Sequence, residues 1–157
     1  MENRSQNFEL DNLDIQILSI LMEDATIPYT EIVKKLIVSG GTIHVRMKKM
    51  QDMEIISGSH LIINPQKIGY DICAFLGIYL EKGSQYKDAV ESLRKIKEVV
   101  ELHYTTGSYS MFAKIICRDT NHLRQVLNED IQGVKGIQRT ETLISLEESI
   151  KRQITLE

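Results

Sequence analysis

Lys34, Lys35, Arg46, Lys48 and Lys49 all fall between Ile32 and Gln51, a stretch that contains no acid. The residues before it are the reverse: Glu2, Glu9, Asp11, Asp14, Glu23, Asp24 and Glu31 stand against Arg4 alone. From Pro65 onward the signs balance, thirteen of each. A formal net charge of −3 therefore conceals a basic patch, and a polyanion responds to the local potential. On a helix, such cations pair with phosphates or with guanine edges in a major groove. The competing reading is a solvated helix face, so the helix that carries the patch has to decide.

A second constellation is the hydroxyl-rich, acid-free run Thr105-Thr106-Gly107-Ser108-Tyr109-Ser110. On spacing alone it is a tight turn that needs glycine. As a site, backbone N–H groups beside Gly107 and the hydroxyls of Thr106 and Ser110 would receive a carboxylate and an amide. Other chemistry finds no support. His44, His60, His103 and His122 are scattered, none at metal-ligand spacing with another His or Cys, so neither metal nor cofactor is expected. Cys73 and Cys117 sit in apolar, strand-like runs and read as buried reduced thiols. With no nucleophile elbow, Walker loop or dinucleotide fingerprint, no catalytic residue is assigned and an enzyme is not expected. No apolar run approaches the roughly 20 residues of a membrane span. The opening MENRSQNFELDNLD is polar and acidic, unlike a secretory signal, and a cytoplasmic protein is expected.

Three helices must position the basic patch. Asp11 can cap a first helix ending near Asp24, with Leu13, Ile17, Ile20 and Leu21 in one stripe. Ile15, Leu18 and Met22 form an opposite stripe, which predicts a contact with a partner chain. Pro28 can open a short second helix through Leu36, turning Ile32, Val33 and Leu36 inward. Ser39 caps a third helix from Gly40 to about Met53. Ile43, Met47, Met50 and Glu54 project to one side of it, while Gly41, His44, Val45, Lys48 and Lys49 project away. Small residues at the start and basic ones beyond suit major-groove entry, so the second and third helices read as a helix-turn-helix. The turn position usually filled by glycine holds Ile37, and the usual alanine before it is Val33. A β-branched residue at positive φ is costly, which predicts a departure in turn geometry.

Ile55 to Ile63 is short and β-prone, and Asn64-Pro65 with Gly69 marks an interdomain linker. The rest reads as strand Ile72–Leu80, helix Gln85–Ile96, strand Val99–Thr106, strand Tyr109–Cys117, helix Thr120–Asp130 and strand Ile137–Leu146. Val100, Leu102 and Tyr104 are expected to share a face. The order is that of the ferredoxin-like βαββαβ fold, an α+β class with both helices on one side of an antiparallel sheet. Ile72, Ala74, Leu76, Ile78 and Leu80 occupy one face of the first strand, and Cys73, Phe75 and Tyr79 the other. An uncovered apolar face of this size predicts a dimer. Three segments follow: residues 1–63 a helix-turn-helix DNA-binding domain, 64–71 a linker, 72–157 a ferredoxin-like oligomerisation domain.

Several segments, in order, resemble the leucine-responsive/asparagine-responsive (Lrp/AsnC) transcription regulators over essentially the whole chain. They are Asp11-Asn12-Leu13-Asp14, Gly41-Thr42-Ile43-His44-Val45-Arg46, Tyr104-Thr105-Thr106-Gly107 with Tyr109-Ser110, and Thr140-Glu141-Thr142-Leu143-Ile144-Ser145-Leu146. The resemblance implies a DNA-binding domain followed by a regulation-of-amino-acid-metabolism domain, dimers that assemble further, often to octamers, and an effector amino acid bound between dimers. The resemblance adds effector binding to the 72–157 domain, and the effector loop maps onto Thr106, Gly107, Ser108, Tyr109 and Ser110, with Glu141 and Thr142 as further contributors. Many members carry aspartate where this chain has Ser110. Likeness to the hairpin of asparagine-responsive members favours asparagine. The partners expected are double-stranded DNA at a roughly palindromic operator, a small amino acid, and further copies of the chain. Ser39, Gly41, Thr42, His44, Val45, Arg46, Lys48 and Lys49 form the expected DNA-binding set. Two alternatives stay open: an architectural DNA-binding protein without effector, and an enzyme of the sirohaem-decarboxylating kind that shares this architecture. The second would have no use for a basic outward helix face.

Overall fold

Capping and periodicity place the helices. The computed structural model describes residues 10–156, so the polar start through Glu9 and the terminal Glu157, both assigned to domains above, lie outside it. The described chain up to Leu61, with the tail from Lys151, forms one compact unit, and Ile62–Ile150 forms the other.

In the first unit, α1 (Asn12–Glu23) begins at Asp11, which makes a reciprocal capping box with Asp14. After it come α2 (Tyr29–Leu36), entered from Pro28, and α3 (Gly40–Asp52), entered from Ser39. Ile17, Ile32, Ile43 and Met50 are fully buried where the three helices meet. Each such side chain contributes about 1.5–3 kcal/mol through burial. Leu10, Ile55, Ile56 and Leu156 of the tail pack around that core. Leu18, expected on a partner-facing stripe, is buried in this same core, because a helix packed on two others in a small unit buries more than one stripe. Ile15 and Met22 stay half-buried outside it. Glu54, expected on the same side as Ile43, Met47 and Met50 though not in the core, lies beyond α3 with φ +57° and is exposed.

The turn between α2 and α3 keeps its left-handed residue despite the missing glycine. Ile37 sits at φ 55°, ψ 50°, and its N–H closes onto the Val33 carbonyl. The expected departure in geometry is therefore absent; the helices impose the conformation and isoleucine bears its cost. The Ile37 side chain is 91% exposed, so no packing offsets roughly 1–2 kcal/mol of strain. Ile55–Ile63 forms no strand. Its first residues pack on the helical core, while Leu61, Ile62 and Ile63 are exposed.

In the second unit β1 (Ile72–Leu80), α4 (Tyr86–Leu93), β2 (Val99–Tyr104), β3 (Met111–Cys117), α5 (Thr120–Gln125) and β4 (Ile137–Ile144) follow in that order. The sheet order is β2-β3-β1-β4 and every neighbouring pair is antiparallel, the ferredoxin-like arrangement. Ala74, Leu76, Ile78, Met111, Ala113 and Ile115 face Ala89 and Leu93 of α4 and Leu123 of α5 in one core. The second helix, expected to run unbroken to Asp130, changes at Val126 to a π-helical turn through Ile131. That turn keeps both Val126 and Ile131 in the core. A bulge between Val99 and Glu101 corrects the face expected for β2. Val99 and Leu102 pack on the core, whereas Val100 is exposed, since the extra residue shifts the alternation by one. Cys117 is buried, and burial pushes its thiol up to about 11.

Candidate DNA-reading face and effector cluster

Helix α3 starts small and stays open there. A Cβ on Gly40 would meet nothing within 4 Å, and one on Gly41 only the Ser39 hydroxyl. Ser39 Oγ accepts the Thr42 amide at 3.1 Å and lies 2.8 Å from Thr42 Oγ1. Both hydroxyls are thus committed to the cap. Beyond the first turn His44, Val45 and Lys48 are exposed, with Val45 70% exposed despite its apolar side chain. The His44 ring packs edge-on against Tyr29 of α2, centroids 5.1 Å apart, which fixes its direction. Lys48 makes no ion pair among the described residues.

Arg46 and Lys49 do something the sequence did not foretell. The Arg46 guanidinium donates to Asp14 at 2.8 Å and also to Asp11, and the Lys49 ammonium reaches Asp14 at 3.3 Å. Asp14 is the one charged residue buried in this unit, with no exposed surface, among the described residues. Burial opposes its ionisation, but hydrogen bonds from Arg46, the Asp11 amide and Lys49 outweigh that and hold it below its ordinary 3.8. Asp14 was legible only as a helix-start acid, because its partner lies 32 residues away. An open groove of about 480 Å³ runs past Asp11, Gly41, Thr42, Val45, Arg46 and Lys49.

The residues expected around the hairpin separate into two groups. Thr106, Gly107 and Ser108 are exposed at its tip, where Gly107 adopts φ +101°. Tyr109 and Ser110 turn back onto the sheet. The Ser110 amide donates to the Ile78 carbonyl at 2.9 Å, and its hydroxyl accepts from the Leu80 amide at 3.3 Å. Tyr109 crosses Gly77 so closely that a Cβ there would lie 2.4 Å from its ring. Its hydroxyl donates to one Glu141 oxygen at 2.9 Å, and Tyr79 donates to the other at 3.0 Å. Glu141 is held below its ordinary value by the Tyr109 and Tyr79 hydroxyls, with Arg139 adding to the effect. The Arg139 guanidinium also lies 3.8 Å over the Tyr79 ring.

Glu141 pairs with Gly77 and Thr142 with Leu76, so these two expected contributors stand on opposite faces of the sheet. Only Glu141 joins Tyr109. Tyr79 and Arg139 were missed as members of this cluster. The alternation of Arg139 with Glu141 places that pair on one face, but linking it to Tyr79 needs the register of β1 against β4. Phe75 and Phe112 stack at 5.8 Å on the same open face. Both are half-buried, and Glu148, beyond β4, reaches Lys114 on that face at 3.4 Å. Tyr104 packs instead on Tyr86, centroids 4.4 Å apart. Among the described residues no cluster of three or more His, Cys, Asp or Glu could hold a metal. No helix is long and apolar enough to cross a membrane, again among the described residues.

Residues 73–155 match the Lrp/AsnC ligand binding domain and residues 10–57 a winged helix-turn-helix DNA-binding family. The chain is 46% identical to the regulatory protein AsnC of Haemophilus influenzae, covering 92% of this chain and 97% of that protein. It is 44% identical to its Escherichia coli counterpart over 95% and 98%. The solved structure of E. coli AsnC superposes with a TM-score of 0.90, covering 94% of this chain and 99% of that one.

Proposed function

The chain belongs to the Lrp/AsnC family of DNA-binding transcription regulators that respond to amino acids, and we propose that its own effector is a small neutral amino acid, asparagine first. The observation that carries the DNA-binding half is the outer face of α3. Gly41 permits close approach and Thr42 joins the cap, while His44, Val45 and Lys48 face outward with groups that read base edges, thymine methyls or phosphates. Ser39 serves as the cap that sets this register, and Arg46 and Lys49 brace the helix from Asp14. The protein works on DNA in the cytoplasm, as a regulator without catalysis.

The effector half rests on charge. Glu141 already has Arg139 at 3.1 Å and two tyrosine hydroxyls, so the cluster holds no unmatched anion for a lysine or arginine side chain. Thr106, Gly107 and Ser108 offer donors to a carboxylate at the adjoining hairpin tip. The open sheet face, with Phe75 and Phe112 stacked on it, is the surface through which copies pair, and paired α3 helices read two half-sites about 34 Å apart or a multiple of that on a roughly palindromic operator. Further assembly to an octamer would follow the family habit.

Calorimetry with asparagine, glutamine, leucine and lysine tests the effector. Heat from asparagine is the expected result, and heat from lysine alone overturns the charge argument. Sedimentation equilibrium tests the assembly, for which a monomer at micromolar concentration is the contrary result.

A further inference from the structure

Counting bases along α3 overstates the charge that DNA meets. Arg46 and Lys49 carry two positive charges, Asp11 and Asp14 two negative ones, and contacts of 3.3 Å or less join the four side chains. The cluster is neutral as a whole. Asp14 has no exposed surface, and a buried carboxylate without cations is strongly penalised, so its hold on Arg46 and Lys49 is not casual. Lys49 is still 44% exposed at its side chain and lines the groove beside Gly41, Thr42 and Val45. Without Asp14 it would stand free at the edge of the reading face.

We propose that Asp14, helped by Asp11, sets the electrostatic footprint of the DNA-reading face by neutralising Arg46 and Lys49, leaving Lys48 as the only lysine or arginine of α3 free to displace counterions from DNA. This rests on the reading of α3 as the DNA-facing helix. Sequence-independent affinity grows with every phosphate that a free cation neutralises. Base contacts do not share that dependence, so holding two cations back lowers attraction to arbitrary DNA and leaves discrimination to His44 and Val45. Asp14 is then a positioning residue that determines specificity, although it touches no base.

The test measures binding of the full chain to a labelled duplex of arbitrary sequence by anisotropy, across a range of salt. Lys48→Met should flatten the slope of log affinity against log salt by about 0.9 per bound protomer. Lys49→Met should leave it unchanged. Asp14→Asn should steepen the slope by about 0.9 as Lys49 is released, and adding Lys49→Met should remove that gain. An Asp14 with a merely structural role would lower binding at all salts without moving the slope, and that result overturns the proposal. If Lys49→Met flattens the slope as much as Lys48→Met, the proposal falls while the reading of α3 stands. If neither does, the reading of α3 falls and takes the proposal with it. Should Asp14→Asn fail to fold, the contrast between the two lysine variants still decides. Asp11→Asn, which keeps a good N-cap, supplies a second release of charge through Arg46, and its slope should also steepen.

Discussion

Tyr109 and Glu141 are joined by a 2.9 Å hydrogen bond across the open face of the sheet, with the phenol as donor. A hydrogen bond to the charged form of a carboxyl lowers its pKa. Tyr109→Phe should therefore raise Glu141 toward its ordinary 4.5, while Tyr79 still holds the other oxygen. Carbon-detected NMR titration of the Glu141 carboxyl measures this directly, and an unchanged midpoint would show that the bond is not made in solution.

Gly77 is what lets Tyr109 reach Glu141. A Cβ at 77 would overlap the tyrosine ring, so Gly77→Ala should swing the ring away and break the bond. Overpacking of this kind costs about 1–3 kcal/mol. Chemical denaturation should register that loss, and the NMR midpoint of Glu141 should rise as it does in Tyr109→Phe.

Gly107 presents a different constraint. Open space surrounds it, yet φ of +101° is a conformation that a β-branched side chain resists. Gly107→Val should deform the hairpin tip, abolish the heat of effector binding and leave operator retardation intact. Calorimetry and retardation on one preparation check both halves.

Ile37 offers a gain in stability. Asparagine tolerates the left-handed region far better than a β-branched residue, and the exposed isoleucine side chain contributes no packing there. Ile37→Asn should stabilise the helical unit by about 1 kcal/mol. A thermal unfolding midpoint that falls instead would mean that Ile37 is covered in the assembled protein.

Asp14 should contribute to the acid response of the helical unit beside Asp11 and Asp24, which are also held low. The folded pKa of Asp14 lies below 3.8, so its stabilising contribution is complete above that value and is lost as pH falls through the lower, folded one. Asp14→Ala should cost about 3 kcal/mol near neutral pH, the lower end for a broken buried pair, because Arg46 keeps Asp11. It should also reduce the acid-dependent part of the unfolding curve without abolishing it, because Asp11 and Asp24 are held low as well. Denaturation at neutral pH and again below the carboxylate range separates the two effects.

What the sequence determined by itself follows from local physics. Alternating and 3.6-residue periodicities, the Asp11 and Ser39 caps, and the glycine at the hairpin tip act within a few residues. They marked α1, α3, β1 and the βαββαβ order, along with the outward set Gly41, His44, Val45 and Lys48. Tertiary structure alone decided everything that depends on register or on partners far apart in the chain. One extra residue at Val99–Glu101 moved Val100 out of its expected face, and the pairing of β1 with β4 put Glu141 and Thr142 on opposite sides. The basic run could be counted, but not its compensation, because the acid that neutralises it lies in another helix. Ile37 shows the same division: local preference argued against a left-handed isoleucine, and the packing of α2 against α3, stronger than that preference, put it there.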